Sequence, residues 1–167
     1  MESVRECPNA STTMLDCRST QGLAQIVSKT LLVKSDQRTD LINLSDEIRR
    51  FVEMSGIEDG YVQISSLHTT AGLFINEWQD ALLADFKVTL DRLVPLTLYY
   101  KHNDPDYSDC DRKNAHSHLR NAIVGHSLTI PIAQSALVLG RWQHVIMAEF
   151  DGPNERRLFL QALGILG

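Results

Sequence analysis

The feature that most constrains this chain is its last third. Three strand candidates follow one another there with only short turns between them. Ser127 to Ile132, Leu137 to Met147 and Arg156 to Leu163 are rich in apolar and β-branched residues, and Gln134-Ser135 and Asp151-Gly-Pro-Asn154 supply the turns. A run of hairpins of this kind predicts antiparallel pairing. Upstream, helices are inserted singly between strands. Gln21 to Val33 is strand-like, with Ala24, Ile26, Thr30 and Leu32 on one parity. Ser45 to Met54 reads as a helix that turns Leu44, Ile48, Phe51 and Val52 inward and stops at Gly56. Tyr61 to Leu67 alternates as a strand, and Leu73-Phe-Ile75 continues after a short break. A second helix should run from Trp78 to about Leu93, followed by a short strand at Thr97 to Lys101 and a polar loop over 102–109. The pattern predicts an α+β fold with largely antiparallel sheet.

One segment concentrates polar chemistry. Between Asp109 and Ser127 lie three of the six histidines, His116, His118 and His126. Helical spacing places Ala115, Leu119, Ala122 and Ile123 on one apolar face, with Gly125 as a natural stop. Asn114 projects with His118, and His116 with Arg120, because positions four apart share a face. Periodicity alone does not choose between the two histidines. The plainer reading of either is a half-buried, hydrogen-bonded boundary residue.

The 167 residues suit one domain, and Met1 to about Thr20, which lack any aromatic residue or apolar period, read as a flexible tail before a single domain over 21–167. A net charge of −5 and basic pairs that never extend into a run give no phosphate-tracking surface, so nucleic acid is not an expected partner. No apolar run approaches the length of a membrane span, so no membrane is expected either. Three cysteines without a C-x-x-C pair fit a reducing compartment, and the cytoplasm is the expected location. Dinucleotide-binding, P-loop and H-E-x-x-H patterns do not occur.

Three further stretches hold polar residues where packing does not demand them. Ser65-Ser-Leu-His-Thr-Thr-Ala-Gly72 ends a strand with hydroxyl side chains around His68, and such a turn can cradle an anion or, through the histidine, a metal. Asn76-Glu77 precedes a helix, where a capping pair is the equal alternative. Gly140-Arg-Trp-Gln143 and Glu149-Phe-Asp-Gly-Pro153, with Arg156, place an acid along a strand where acids are uncommon.

Taken together, His68-Thr-Thr-Ala-Gly72, Asn76-Glu77, Asn114 with His118-Leu119, Leu137-x-Leu-Gly-x-Trp-Gln143 and Glu149-x-Asp-Gly-Pro153 resemble the YjbQ-like family. Bacterial members of that family are described as secondary thiamine-phosphate synthases. The resemblance runs from about Gly22 to Gly164. It implies two packed β-sheets with outer helices, a homotrimer, and an active-site cleft near the subunit boundary. It favours His118 over His116, and it implies catalytic roles for His68, His118, Glu77 and Glu149. It further implies ligand contacts from Thr69, Thr70, Asn76, Asn114, Trp142, Gln143, Asp151 and Arg156. His68 and His118 could share a divalent metal, Mg or Zn, with a carboxylate. The implied substrate is a small phosphorylated metabolite. The implied reaction joins a thiazole phosphate to a pyrimidine diphosphate with loss of pyrophosphate. A metal-dependent hydrolase or lyase and a non-catalytic trimeric anion-binding protein are the competing readings. Two positions depart from the family pattern: Arg141 replaces the usual Thr before the Trp, and Asn154 replaces the usual arginine after Asp-Gly-Pro, leaving Arg156 as the matching second arginine. His126 matches no family histidine, which favours a structural role for it.

Overall fold

The computed structural model describes residues 17–167. Of the expected tail, Met1 to about Thr20, residues 1–16 lie outside them. In its described part Arg18 pairs with Glu58 and Asp59, and the Thr20 hydroxyl donates to Asp59.

Alternating burial selects the strands. Five form one antiparallel sheet in the order β1 (Ala24–Lys34), β8 (Glu155–Leu166), β3 (Ile57–Ser66), β5 (Ser127–Ala133) and β6 (Ala136–Leu137). Three form a second antiparallel sheet in the order β2 (Asp40–Asn43), β7 (His144–Glu149) and β4 (Ala71–Asn76). The small sheet is the middle layer. Val145, Met147 and Leu73 face the large sheet and meet Val62, Ile64, Leu158 and Leu160 there. Ile146, Ala148 and Phe150 point the other way, onto Leu83 and Leu90 of α2 (Asp80–Leu93), and Phe74 stacks on Phe86 at 4.6 Å. Strand β7 is therefore buried on both faces, which is why it reads as a continuous apolar run. Helix α1 (Ser45–Ser55) adds Ile48, Phe51 and Val52 to the core between the sheets, and Gly56 ends it in the left-handed region at φ 68°.

Among the described residues the α+β fold, with two antiparallel sheets and three α-helices, matches the expected class, and four local readings need correction. The parity of Ala24, Ile26, Thr30 and Leu32 faces outward, while Val27, Leu31 and Val33 face the core. Thr97 to Lys101 is not a strand. Local bonds hold this stretch in turns ending in a single 3-10 turn, Lys101–Asn103, with the Tyr100 hydroxyl on Pro95 O and the Tyr99 hydroxyl on Asp104. Leu137 to Met147 is not one strand. A Gly140–Gln143 turn breaks it, with Gly140 N–H donating to the Gln143 side chain at 2.7 Å, and the chain changes sheets there.

The fourth correction concerns α3 (Ala115–Val124), whose faces are reversed relative to its apolar stripe. Leu119 is 45% and Ile123 57% exposed, whereas His116, Ser117, Arg120 and Asn121 are buried. Hydrogen bonds explain the reversal. The Ser117 hydroxyl donates to Phe150 O at 2.6 Å, and Arg120 donates to Val94 O and to Asp91, satisfying the open C-terminal end of α2. A buried guanidinium with these acceptors outweighs the exposure of two aliphatic side chains. Close approach makes the docking possible: a Cβ at Gly72 would lie 2.6 Å from both Asn121 Oδ1 and Gly125 O. The glycine of His68-Thr-Thr-Ala-Gly72 is thus the point where α3 seats on β4.

Candidate functional site

His68 lies in the four-residue link between β3 and β4, and the link is tightly held. The Ser66 hydroxyl donates to Ala71 O at 2.6 Å, Ser66 N–H donates to His126 O at 2.8 Å, and Phe150 N–H donates to Thr70 O at 3.1 Å. His68 Nε2 accepts the backbone N–H of Arg157 at 2.8 Å. In the neutral ring that bond leaves the proton on Nδ1, so His68 presents an N–H donor. Burial, followed by the charge of Arg156, lowers its pKa from the ordinary 6.5.

His118 comes to the same place from α3. The two histidines, fifty positions apart in sequence, line one cavity of about 470 Å3 together with Ser66, Leu67, Thr69, Asn121, Ala122 and His126. Burial is also the first cause lowering the His118 pKa, followed by neighbouring His102, whose ring packs edge-on at 5.0 Å. His116, the other candidate in the helix, is buried with its Nε2 unpaired among the described residues, and burial, Arg38 and Arg120 lower its pKa. The cavity therefore takes His118 and not His116.

A second group lies beneath the cavity as one polar network. Glu149, with no exposed surface, receives both Nε and Nη2 of Arg156, the latter at 2.6 Å, and also the backbone N–H of Asp151 at 2.8 Å. Arg156 donates a further bond to the Thr70 hydroxyl at 3.0 Å. Asp151 accepts from Asn114 at 2.7 Å and pairs with Arg112 at 3.0 Å. Thr70, Asn114, Glu149, Asp151 and Arg156 are thus brought together, and hydrogen bonds link them into one network. Their charge still reaches the cavity: Glu149 acts on His68 and Asp151 on His118, each opposing the depression of the histidine pKa.

The remaining candidates stand elsewhere in the chain. β4 pairs with β7 from Ala71 opposite Glu149 to Asn76 opposite His144, so Asn76 and Glu77 sit at the far end, roughly 17 Å from the cavity. Asn76 Oδ1 accepts the Glu77 N–H. Gln143 closes its own turn, and Trp142 is 59% exposed beneath the Arg141 cation at 4.7 Å. One chain therefore separates these four residues from the histidines.

Ser66 comes from the hydroxyl-rich stretch that the sequence singles out around His68, and two cavity residues were not legible as such: His126 was expected to be structural, and Asn121 lies on the face of α3 that its apolar pattern assigns to solvent. A metal fits these residues poorly. Among the described residues no group of three His, Cys, Asp or Glu is spaced to hold one, and the Nε2 lone pair of His68 is already used.

A family model described as "UPF0047 protein YjbQ-like" matches residues 29–165. The chain belongs to this family. The YjbQ-like relatives include a UPF0047 protein of Methanothermobacter thermautotrophicus, 34% identical over 84% of this chain and 94% of the relative. Another, from Archaeoglobus fulgidus, is 37% identical over 80% and 98%. Among solved structures, a protein of unknown function from Sulfolobus solfataricus superposes with a TM-score of 0.78 at 29% identity, over 84% of this chain and 99% of that one. A Clostridium acetobutylicum member gives 0.73 at 30% identity, over 80% and 98%. Among the described residues no helix is long and apolar enough to cross a membrane.

The three depressed histidines carry a stability prediction. Each folded-state pKa lies below the unfolded value of 6.5, so the unfolded chain binds more protons just below that pH. Their contribution is fully present above 6.5, is lost as pH falls through the folded values, and levels off beneath them. Urea unfolding measured from about pH 8 to about pH 5 should show falling stability, and His116→Gln should flatten the slope. A slope unchanged in that variant would contradict the assignment.

Proposed function

We propose that this chain is a small-molecule enzyme working at the His68–His118 cavity on a substrate that carries a phosphate or comparable oxyanion. One observation carries the reading: two neutral histidines from distant elements converge on a single open cavity beside the Thr69 and Ser66 positions. The His68 Nδ1–H is a donor for an oxyanion, and His118, without a hydrogen-bond partner among the described residues, is the group to move a proton.

The transfer implied by the family resemblance is the first reaction to assay. In it the carbon–oxygen bond to the diphosphate breaks, a carbon–nitrogen bond to the thiazole forms, and pyrophosphate leaves. Among the described residues no lysine or arginine side chain lines the cavity, so these residues offer the departing diphosphate no cation there. We therefore assign thiamine-phosphate formation as a side activity, with a singly phosphorylated metabolite as the main substrate. The competing metal-dependent hydrolase or lyase would need donors from outside this set.

With the thiazole phosphate and pyrimidine diphosphate as substrates, His68→Ala and His118→Ala should each lower turnover about 100-fold or more at an unchanged thermal midpoint. Turnover in both variants equal to that of the unaltered protein would overturn the reading, and none in the unaltered protein would overturn the side activity. Loss of activity on chelation and its return with Mg or Zn would favour the metal-dependent alternative. Binding of phosphate without turnover of any phosphorylated metabolite would favour the non-catalytic one.

We also propose that the partner of this chain is itself, as a homotrimer. Among the described residues no helix lies on the outer face of the five-stranded sheet, and Ile26, Leu32, Tyr61 and Phe159 lie exposed there. Between them stand Ser28, Thr30, Gln63 and Gln161, so the middle of the face carries no charge, as interface centres do not. The face runs to Arg157, whose backbone holds His68, which puts the cavity at its margin. Light scattering should give three times the chain mass. A monomer at micromolar concentration would refute this.

A further inference from the structure

The His118 ring is in the wall of two cavities. On one side is the polar cavity with His68 and His126. On the other is a separate cavity of about 370 Å3, lined by Tyr100, Lys101, His102, Ala115, His118 and Leu119. The two differ in chemistry. The second presents the Tyr100 ring together with Ala115 and Leu119, and its polar groups are largely spoken for. The Tyr100 hydroxyl is bonded to Pro95 O at 2.6 Å, and Lys101 Nζ lies over the Tyr107 ring at 5.1 Å. His102 is the exception: its Nδ1 is 3.4 Å from the Ser108 hydroxyl, while its buried Nε2 has no partner among the described residues. That nitrogen has no accessible surface, so it does not face the cavity, and the wall the cavity offers is chiefly apolar.

We propose that this second cavity is a subsite for the uncharged ring of the ligand whose oxyanion occupies the first, with His118 at the junction. The inference rests on the reading of the His68–His118 cavity as an oxyanion site, and it adds the other half of the molecule. The ligand class is then an aryl or arylmethyl phosphate ester. The volume is ample, since a cavity of roughly 150 Å3 already accepts a benzene ring in another protein. His102 acts here through its edge contact, which fixes the plane of the His118 ring. A ring in this cavity and a phosphate in the other would place the ester bond against His118, the one side chain common to both walls.

Inorganic phosphate and phenyl phosphate separate the two halves. Their affinities are measured by calorimetry on the full chain, and the histidine ring resonances are followed in the 15N-labelled protein. Phenyl phosphate should bind about tenfold more tightly than phosphate. Both ligands should shift His68 and His118, and only phenyl phosphate should shift His102. In Leu119→Gln, altered at an exposed position, the affinity ratio should fall towards one. Equal affinities in the unaltered protein, an unmoved His102, or a ratio unaffected by Leu119→Gln would overturn the subsite while leaving the oxyanion site standing. Binding of neither compound would overturn both.

Discussion

The buried ion pair of Glu149 with Arg156 is the interaction on which the rest of the site depends. It joins the end of β7 to the start of β8 and so ties the middle sheet to the large one. Through the Thr70 hydroxyl it fixes the link that carries His68, and through Asp151 and Asn114 it fixes the start of α3, which carries His118. Removing one partner of such a pair would leave an uncompensated buried charge, a loss of about 3–5 kcal/mol. The acids are therefore more than candidate catalysts. They set the distance between the two histidines, and their charge moderates the depressed pKa of each.

The same economy appears in α3. Its apolar positions face outward because its polar ones have better partners within the fold: Phe150 O for Ser117, and Val94 O with Asp91 for Arg120. Turning the helix this way places His118 between two cavities and exposes Leu119 at the edge of one of them. Packing and site geometry are thus one solution. A helix oriented by its apolar stripe would point His118 elsewhere.

The sheets were legible in the sequence because alternation and turn chemistry are local signals. Gln134 and Ser135, for example, take the positive φ values that a tight hairpin needs. The family motifs also located His68 and His118, whose convergence no spacing rule could supply. What the sequence concealed depended on tertiary partners: the orientation of α3, the outward parity of Ile26 and Leu32, and the turn at Tyr99 and Tyr100 that resembles a strand. His126 and His102 were missed for a related reason. Each belongs to the site only because the end of β3 and the turn before α3 bring it there, and neither carries a distinctive neighbour in sequence. Asn76, Glu77, Trp142 and Gln143 show the opposite case, since their motifs are clear yet the fold holds them at the other end of β4.

The proposed chemistry turns on His68 being a neutral hydrogen-bond donor, because its Nε2 is occupied by the Arg157 N–H. Ring-nitrogen NMR of the 15N-labelled protein at neutral pH measures this directly. The expected result is a neutral His68 with its proton on Nδ1. A His68 protonated on Nε2 alone, or on both nitrogens at that pH, would contradict it.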